Sequence, residues 1–98
     1  MKIICLLCDI FFIPEIQKTL SGHSLEFIQS YTDQKFDLFI LDMDHAESFE
    51  LCKKYPDKSI CFGSHADVGE IKRFRDAGCK NVIARSAFLD RLKEMNSK

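Results

Sequence analysis

The chain has 98 residues, 46% of them hydrophobic and 30% charged, with five cysteines and a net charge of −1 at pH 7. That length accommodates one domain over residues 1–98, since two independent cores would not fit, and the composition excludes a disordered chain. A near-neutral balance argues against a nucleic-acid binder that works by bulk electrostatics.

From the N-terminus, Ile3-Ile4-Cys5-Leu6-Leu7 is a continuous apolar run, as expected of a strand covered on both faces. The run resumes to Ile13 and superficially resembles a signal peptide, but Asp9 interrupts it, Pro14 closes it and no small-residue cleavage site follows. It is also too short to span a bilayer, so no membrane role and a cytoplasmic location are expected. Residues 14–20 read as a short helix with proline in its first turn and Ser21-Gly22 as the stop. Residues 24–29 have strand character, and residues 36–41 form a second full apolar run that should be a central strand.

Residues 48–55 suit a helix ended by Pro56-Asp57, and residues 59–62 a third short strand leading into Gly63-Ser64-His65. Residues 67–77 place Val68, Ile71, Phe74 and Ala77 at helical spacing, with Gly78 as the C-terminal stop. The last strand is 81–84 and the last helix 87–95, with Phe88, Leu89, Leu92 and Met95 along one face. This alternation predicts an α/β fold: a flavodoxin-like, doubly wound five-stranded parallel sheet with helices on both faces.

Only about seven residues separate the second strand from Phe36. A full crossover takes at least ~10–12, so the second crossover helix is expected to be missing or reduced to a turn near Tyr31-Thr32-Asp33. Losing it would leave one sheet face short of cover. The segment Ile10-Phe11-Phe12-Ile13 is a candidate to fill that face; ordinary core packing is the favoured reading, and an exposed patch that makes a homodimer or holds a partner is the other.

Charge is unevenly spread, with three Lys against nine Asp and Glu in residues 1–50 and eleven Lys and Arg against six Asp and Glu in residues 51–98. Solvated helix faces explain this most simply. The sharper alternative is an acidic pocket from the first half and a basic helix for a partner. An odd cysteine number without regular spacing argues against a disulfide framework. Cys5, Cys8 and Cys61 read as small core hydrophobes. A redox role for Cys5-x-x-Cys8 is weaker, because the pair does not straddle a strand-to-helix junction. Zinc is weaker still, since His23, His45 and His65 show no ligand spacing with the cysteines.

In a doubly wound sheet the functional crevice lies outside the carboxyl ends of the strands. Cys8-Asp9, Asp42-Met43-Asp44, Ser64-His65 and Arg85-Ser86 follow the predicted strands. Asp9 and Asp42 would converge there with Asp44 nearby, the oxygen-rich chemistry that suits Mg²⁺. Ser64 could donate to a transferred oxygen and Arg85 could offset the negative charge. A carboxylate beside a metal can also accept a phosphoryl group. The plainer reading makes Asp9 and Asp42 polar strand ends, Ser64 a helix cap and Arg85 a salt-bridge partner.

The stretch Asp37-Leu38-Phe39-Ile40-Leu41-Asp42 resembles the D-L-x-x-x-D run of response-regulator receiver domains, and residues 76–88 resemble that family's A-G-A-x-x-Y-L-x-K-P-x-F segment. The resemblance implies a CheY-like fold. It assigns the phosphoacceptor to Asp42, the switch and phosphate contacts to Ser64 and Arg85, and the Mg²⁺ ligands to Asp9 and Asp42. Several positions depart from the pattern. Cys8-Asp9 stands where the family has two acids, Arg85 where it has lysine, Ser86 where it has the following proline, and Ala46 where a proline follows the phosphoacceptor.

A degenerate receiver that regulates a partner through protein–protein contacts is therefore the leading functional expectation, with no catalytic residues of its own and no enzyme activity. Its surface would lie on the last two helices, with Lys72, Arg73, Arg75 and Arg91 exposed. The kinase or downstream effector is not named by the sequence. A working phosphoacceptor using Asp42 and Mg²⁺ comes next, then a small redox protein using Cys5 and Cys8. A flavin or cobalamin carrier of the same fold class carries little weight, because no phosphate-cradling glycine loop follows the first strand.

Overall fold

A computed structural model describes residues 1–8, 10–64 and 68–96. Five strands, β1 (Lys2–Leu6), β2 (Ser24–Phe27), β3 (Leu38–Asp42), β4 (Ser59–Gly63) and β5 (Val82–Ala84), form one sheet in the order β2-β1-β3-β4-β5. Every neighbouring pair is parallel. Three α-helices lie between strands, α1 (Ile13–Thr19), α2 (Ser48–Lys54) and α3 (Val68–Asp76), and α4 (Arg85–Asn96) follows β5. This is the expected flavodoxin-like doubly wound sheet, and the order reverses direction at β1 and β3.

Because successive strand residues point to opposite faces, the sheet sorts its side chains into two cores. Ile3, Cys5, Ile40 and Phe62 pack under α1 and α4 with Ile16, Leu20, Phe88 and Leu92. Ile4, Leu6, Phe39, Leu41 and Cys61 pack on the other face with Leu51 and Cys52 of α2 and Phe74 of α3. The central strands β3 and β4 are buried along their whole length. Two turns need positive φ, at Gly22 (97°) after α1 and Gly78 (104°) after α3, conformations glycine adopts without a Cβ penalty.

No helix joins β2 to β3, as the short spacing predicts. Tyr31 and Phe36 of the connector take its place, packing with Phe39 and Tyr55 as a cluster of edge-on and tilted rings at 4.0–6.3 Å. The connector is also pinned by polar contacts. The Tyr31 amide donates to Glu47 Oε1 at 3.1 Å, and His45 Nε2 contacts the Gln29 carbonyl at 2.8 Å. His45 Nδ1 accepts from the Glu47 amide, so the proton sits on Nε2 and is donated to Gln29. Cys52 and Cys79 are bonded, tying α2 to the turn after α3, with Cα atoms 5.6 Å apart. Cysteine spacing alone gave no sign of that pairing.

Candidate functional site

Strand β3 carries Asp42 to its carboxyl end, where the residue is wholly buried. A buried carboxylate needs partners, and Asp42 has several. Oδ2 accepts the Cys8 amide at 3.1 Å, Oδ1 accepts the Asp44 amide at 3.0 Å, and its carbonyl accepts the Ser48 hydroxyl. The loops after β1 and β3 are thus folded onto one side chain.

Arg85 supplies the countercharge. Its Nη2 lies 4.0 Å from Asp42 Oδ1 and 3.8 Å from Asp44 Oδ2. The guanidinium rests over the rings of Phe12 and Phe62, at 5.5 and 5.8 Å from the centroids. Those rings are fixed in turn, Phe62 stacked on Phe88 at 4.2 Å and Phe12 edge-on to both. Arg85 is the first residue of α4, where expectation placed it in a loop before a helix starting at Ala87. A cation in a first turn opposes the helix dipole, and the carboxylates of Asp42 and Asp44 offset that cost.

Four expectations need revision or fall outside the description. Cys8 is exposed at the mouth of this site, not in the core, because the chain leaves the sheet after Leu7. Burial and the carboxylates of Asp42 and Asp44 push its thiol pKa up. Ile10 and Phe11, read as core, are 66% and 85% exposed, since only Phe12 and Ile13 of that segment turn onto the core under α1 and α4. Val68, placed on the buried face of its helix, is exposed. Asp9 lies outside the described residues, so its assignment as a metal ligand is without a structural account.

Ser64 follows β4 at the same end of the sheet and is exposed, as its sequence position implies. Cys5 is buried in the core with its thiol pushed up to about 12 by burial, and both Cys5 and Cys8 are free. That arrangement does not suit a redox pair. Sequence reasoning missed three contributors: the Cys8 backbone amide, the Phe12 platform, and His45 with Glu47, which anchor the crossover beside the site. Phe12 lay within an apolar run that carried no mark of a cation partner. The Cys8 amide is a backbone group, and the His45 and Glu47 side chains bond to backbone groups of the connector, pairings that sequence patterns do not distinguish.

The receiver resemblance implies Mg²⁺, and the donor set tests it. Among the described residues no group of three His, Cys, Asp or Glu side chains is placed to hold a metal ion. Asp42 and Asp44 are close enough to share a cation, but the Arg85 guanidinium already lies against both. The third nearby group, Cys8, has its thiol held toward the neutral form, a poor ligand for a hard cation. Asp42 and Asp44 are the described carboxylates that would hold Mg²⁺, and a cation there would have to displace the Arg85 guanidinium.

No family model matches the chain, and no curated protein matches it in sequence. Solved structures do match in shape. A response regulator from Hahella chejuensis superposes with a TM-score of 0.74 at 20% identity, over 98% of this chain and 92% of the other. A response regulator receiver protein from Pseudoalteromonas atlantica gives 0.74 at 12% identity, over 99% and 94%. A response regulator from Thermotoga maritima gives 0.71 at 16%, over 98% and 93%. The chain has the fold of response-regulator receiver domains over nearly its full length.

Proposed function

We propose that this chain is a receiver-type signalling domain that regulates a protein partner by contact, with its strand-end site held in one charge state instead of being cycled by phosphoryl transfer. The observation that carries this reading is the placement of Arg85 against both Asp42 and Asp44, on a platform of Phe12 and Phe62. The buried Asp42 carboxylate already has two backbone donors and a guanidinium against it. The departures at Cys8 and Arg85 point the same way. The domain is a binding module in this reading and not an enzyme.

The partner surface is formed by α3 and α4. Lys72, Arg73, Arg75 and Arg91 are all exposed on it. The three arginines are braced by hydrogen bonds, Arg73 by Glu70, Arg75 by the Val82 carbonyl and Arg91 by the Asn81 side chain, and Lys72 pairs with Asp76 at 3.9 Å. A braced arginine loses less side-chain entropy when a partner binds.

A second reading, transient phosphorylation of Asp42, draws on the same position of Asp42, with Ser64 at the neighbouring strand end and a cation within 4.0 Å. Incubation with Mg²⁺ and a small phosphodonor, followed by intact-mass measurement, separates the two readings. The proposal expects no phosphoryl-sized gain in a protein folded by circular dichroism. A gain that disappears in Asp42→Asn would overturn it and establish the phosphoacceptor.

A further inference from the structure

The opposite end of the sheet holds a cavity of about 440 Å³, within the size range of small-molecule sites. It is lined by Lys2, Gln34, Lys35, Phe36, Asp37 and Lys58. Lys2 opens β1, Asp37 immediately precedes β3 and Lys58 immediately precedes β4, so the cavity lies at the amino ends of three parallel strands. Residues 34–37 belong to the connector that replaces the second crossover helix. The cavity wall is therefore built from the feature by which this chain shortens the fold.

Its charges are arranged asymmetrically. The lining carboxylate Asp37 and the neighbouring Glu26 are both drawn toward Lys2, whose backbone N–H donates to Asp37 Oδ2 at 2.7 Å and whose ammonium lies 3.6 Å from Glu26, while Asp57 beside Lys58 is paired with Lys80. The same ammonium donates to Gln34 Oε1 at 2.8 Å, which leaves the Gln34 amide nitrogen as a donor in the lining. Lys35 and Lys58 have no carboxylate partner within salt-bridge reach among the described residues. Lys58 instead lies over the Phe36 ring, 5.6 Å from its centroid, and that ring is fixed against Phe39 and Tyr55. The lining holds three ammoniums, one amide donor and one carboxylate that already has a donor.

We propose that this cavity binds a phosphoryl anion, with Lys35 and Lys58 as the charged contacts, the Gln34 amide as a directional donor and Phe36 as the floor. Lysine ammoniums bind phosphate as point charges, and two of them with an amide suit more than one phosphate group. The volume exceeds what a single carboxylate needs. The same chemistry is offered by free pyrophosphate and by the phosphate chain of a nucleotide. The site is remote from Asp42, so it stands or falls independently of how that residue is used.

The test is a titration of the full chain with pyrophosphate and, separately, with ATP, both without Mg²⁺, followed by amide chemical shifts. Saturable shifts are expected at residues 34–37 and 58, with the amides of Cys8 and Asp44 unmoved, and with binding that weakens as salt is raised. The double substitution Lys35→Gln and Lys58→Gln, both at exposed positions, should weaken binding by about tenfold or more while leaving the rest of the spectrum superimposable. Equal binding of both probes identifies the phosphate chain as the whole ligand. Binding of ATP alone, still lost in the double variant, extends the site to the nucleoside over Phe36. Absence of saturable shifts with either probe, or shifts that the double variant retains, overturns the proposal.

Discussion

Arg85, the first residue of α4, reaches to within 4.0 Å of the buried carboxylate of Asp42 at the end of β3. The contact joins the last helix to the centre of the sheet. It also makes Arg85 the balancing charge for a side chain with no exposed surface.

Replacing Arg85 by Met keeps the aliphatic stem over Phe12 and Phe62 and removes the charge. Breaking a fully buried pair costs about 3–5 kcal/mol. Arg85 is one-third exposed and its separation from Asp42 is long, so solvent screening reduces the expected loss to about 1–2 kcal/mol. The urea midpoint should fall accordingly. Asp42→Asn has its own cost, because one of the two backbone N–H donors loses its acceptor. The double variant should therefore be more stable than the sum of the two losses predicts. Strict additivity in this cycle would show that the pair does not interact.

The free thiols should separate sharply in native-state alkylation. Cys8 is exposed, whereas Cys5 and Cys61 are buried. Cys8 should label first but slowly near neutral pH, because partial burial, and then Asp42 and Asp44, hold its proton on and only the thiolate reacts. Asp44→Asn removes one of those charges, lowers the thiol pKa and should speed labelling at the same pH. A slower or unchanged rate in that variant would contradict the electrostatic account.

Alkaline pH tests the buried pair. Burial raises the Cys5 and Cys61 thiols from 9.0 to about 12 in the folded state. A group whose folded pKa lies above its unfolded value stabilises fully below the unfolded value and loses that contribution as pH rises toward the folded one. Stability should therefore fall between about pH 9 and 12, by up to about 1.4 kcal/mol per pH unit for each thiol. The double variant Cys5→Ala, Cys61→Ala should start less stable and show a shallower alkaline decline. Parallel pH profiles for the two proteins would assign the decline to other groups.

Much of this architecture was legible from residue pattern, and the reasons are specific. Ile3 to Leu7 and Leu38 to Leu41 are apolar on both parities, which marks strands buried on both faces. The Gln29-to-Phe36 spacing is too short to hold a crossover helix. The expected positions of Cys8, Ile10 and Phe11 fail because an apolar run interrupted only at Asp9 does not mark where the chain leaves the sheet. That point is set by the Cys8 amide reaching Asp42, a contact 34 residues apart in sequence. The start of α4 was misjudged for a similar reason. Arg85 is a poor first helical residue alone, and becomes acceptable only once Asp42 and Asp44 are beside it.

The connector between β2 and β3 depends on tertiary anchors because it has no helical hydrogen bonds of its own. Glu47→Ala removes the acceptor of the Tyr31 amide. Hydrogen exchange at Tyr31 should accelerate, with little change at Phe39 in the central strand. Global stability should drop by about 1 kcal/mol, the usual worth of one such bond to a charged acceptor after discounting its partial exposure. Uniform acceleration across the sheet would mean that the connector opens only with the whole domain.

Gly63, the last residue of β4, provides a steric handle on the Asp42 site. A Cβ there would overlap Met43 Cε and lie 3.2 Å from Met43 Cβ. The methionine tip can swing away, but the Cβ contact is nearer the backbone and yields less readily. Met43 directly follows Asp42, and its amide is bonded to the Phe62 carbonyl at 2.9 Å, so displacement would be felt at the buried carboxylate. Gly63→Ala should cost about 1–3 kcal/mol and shift the amide resonances of Cys8 and Asp44, the two donors to Asp42. Adding Met43→Ala removes the Cε overlap but keeps the Cβ contact, so it should restore those two resonances only in part, while carrying its own cavity cost. If Gly63→Ala leaves the donors unmoved, the end of β4 is not mechanically coupled to Asp42, and a signal between Ser64 and the site would need another route.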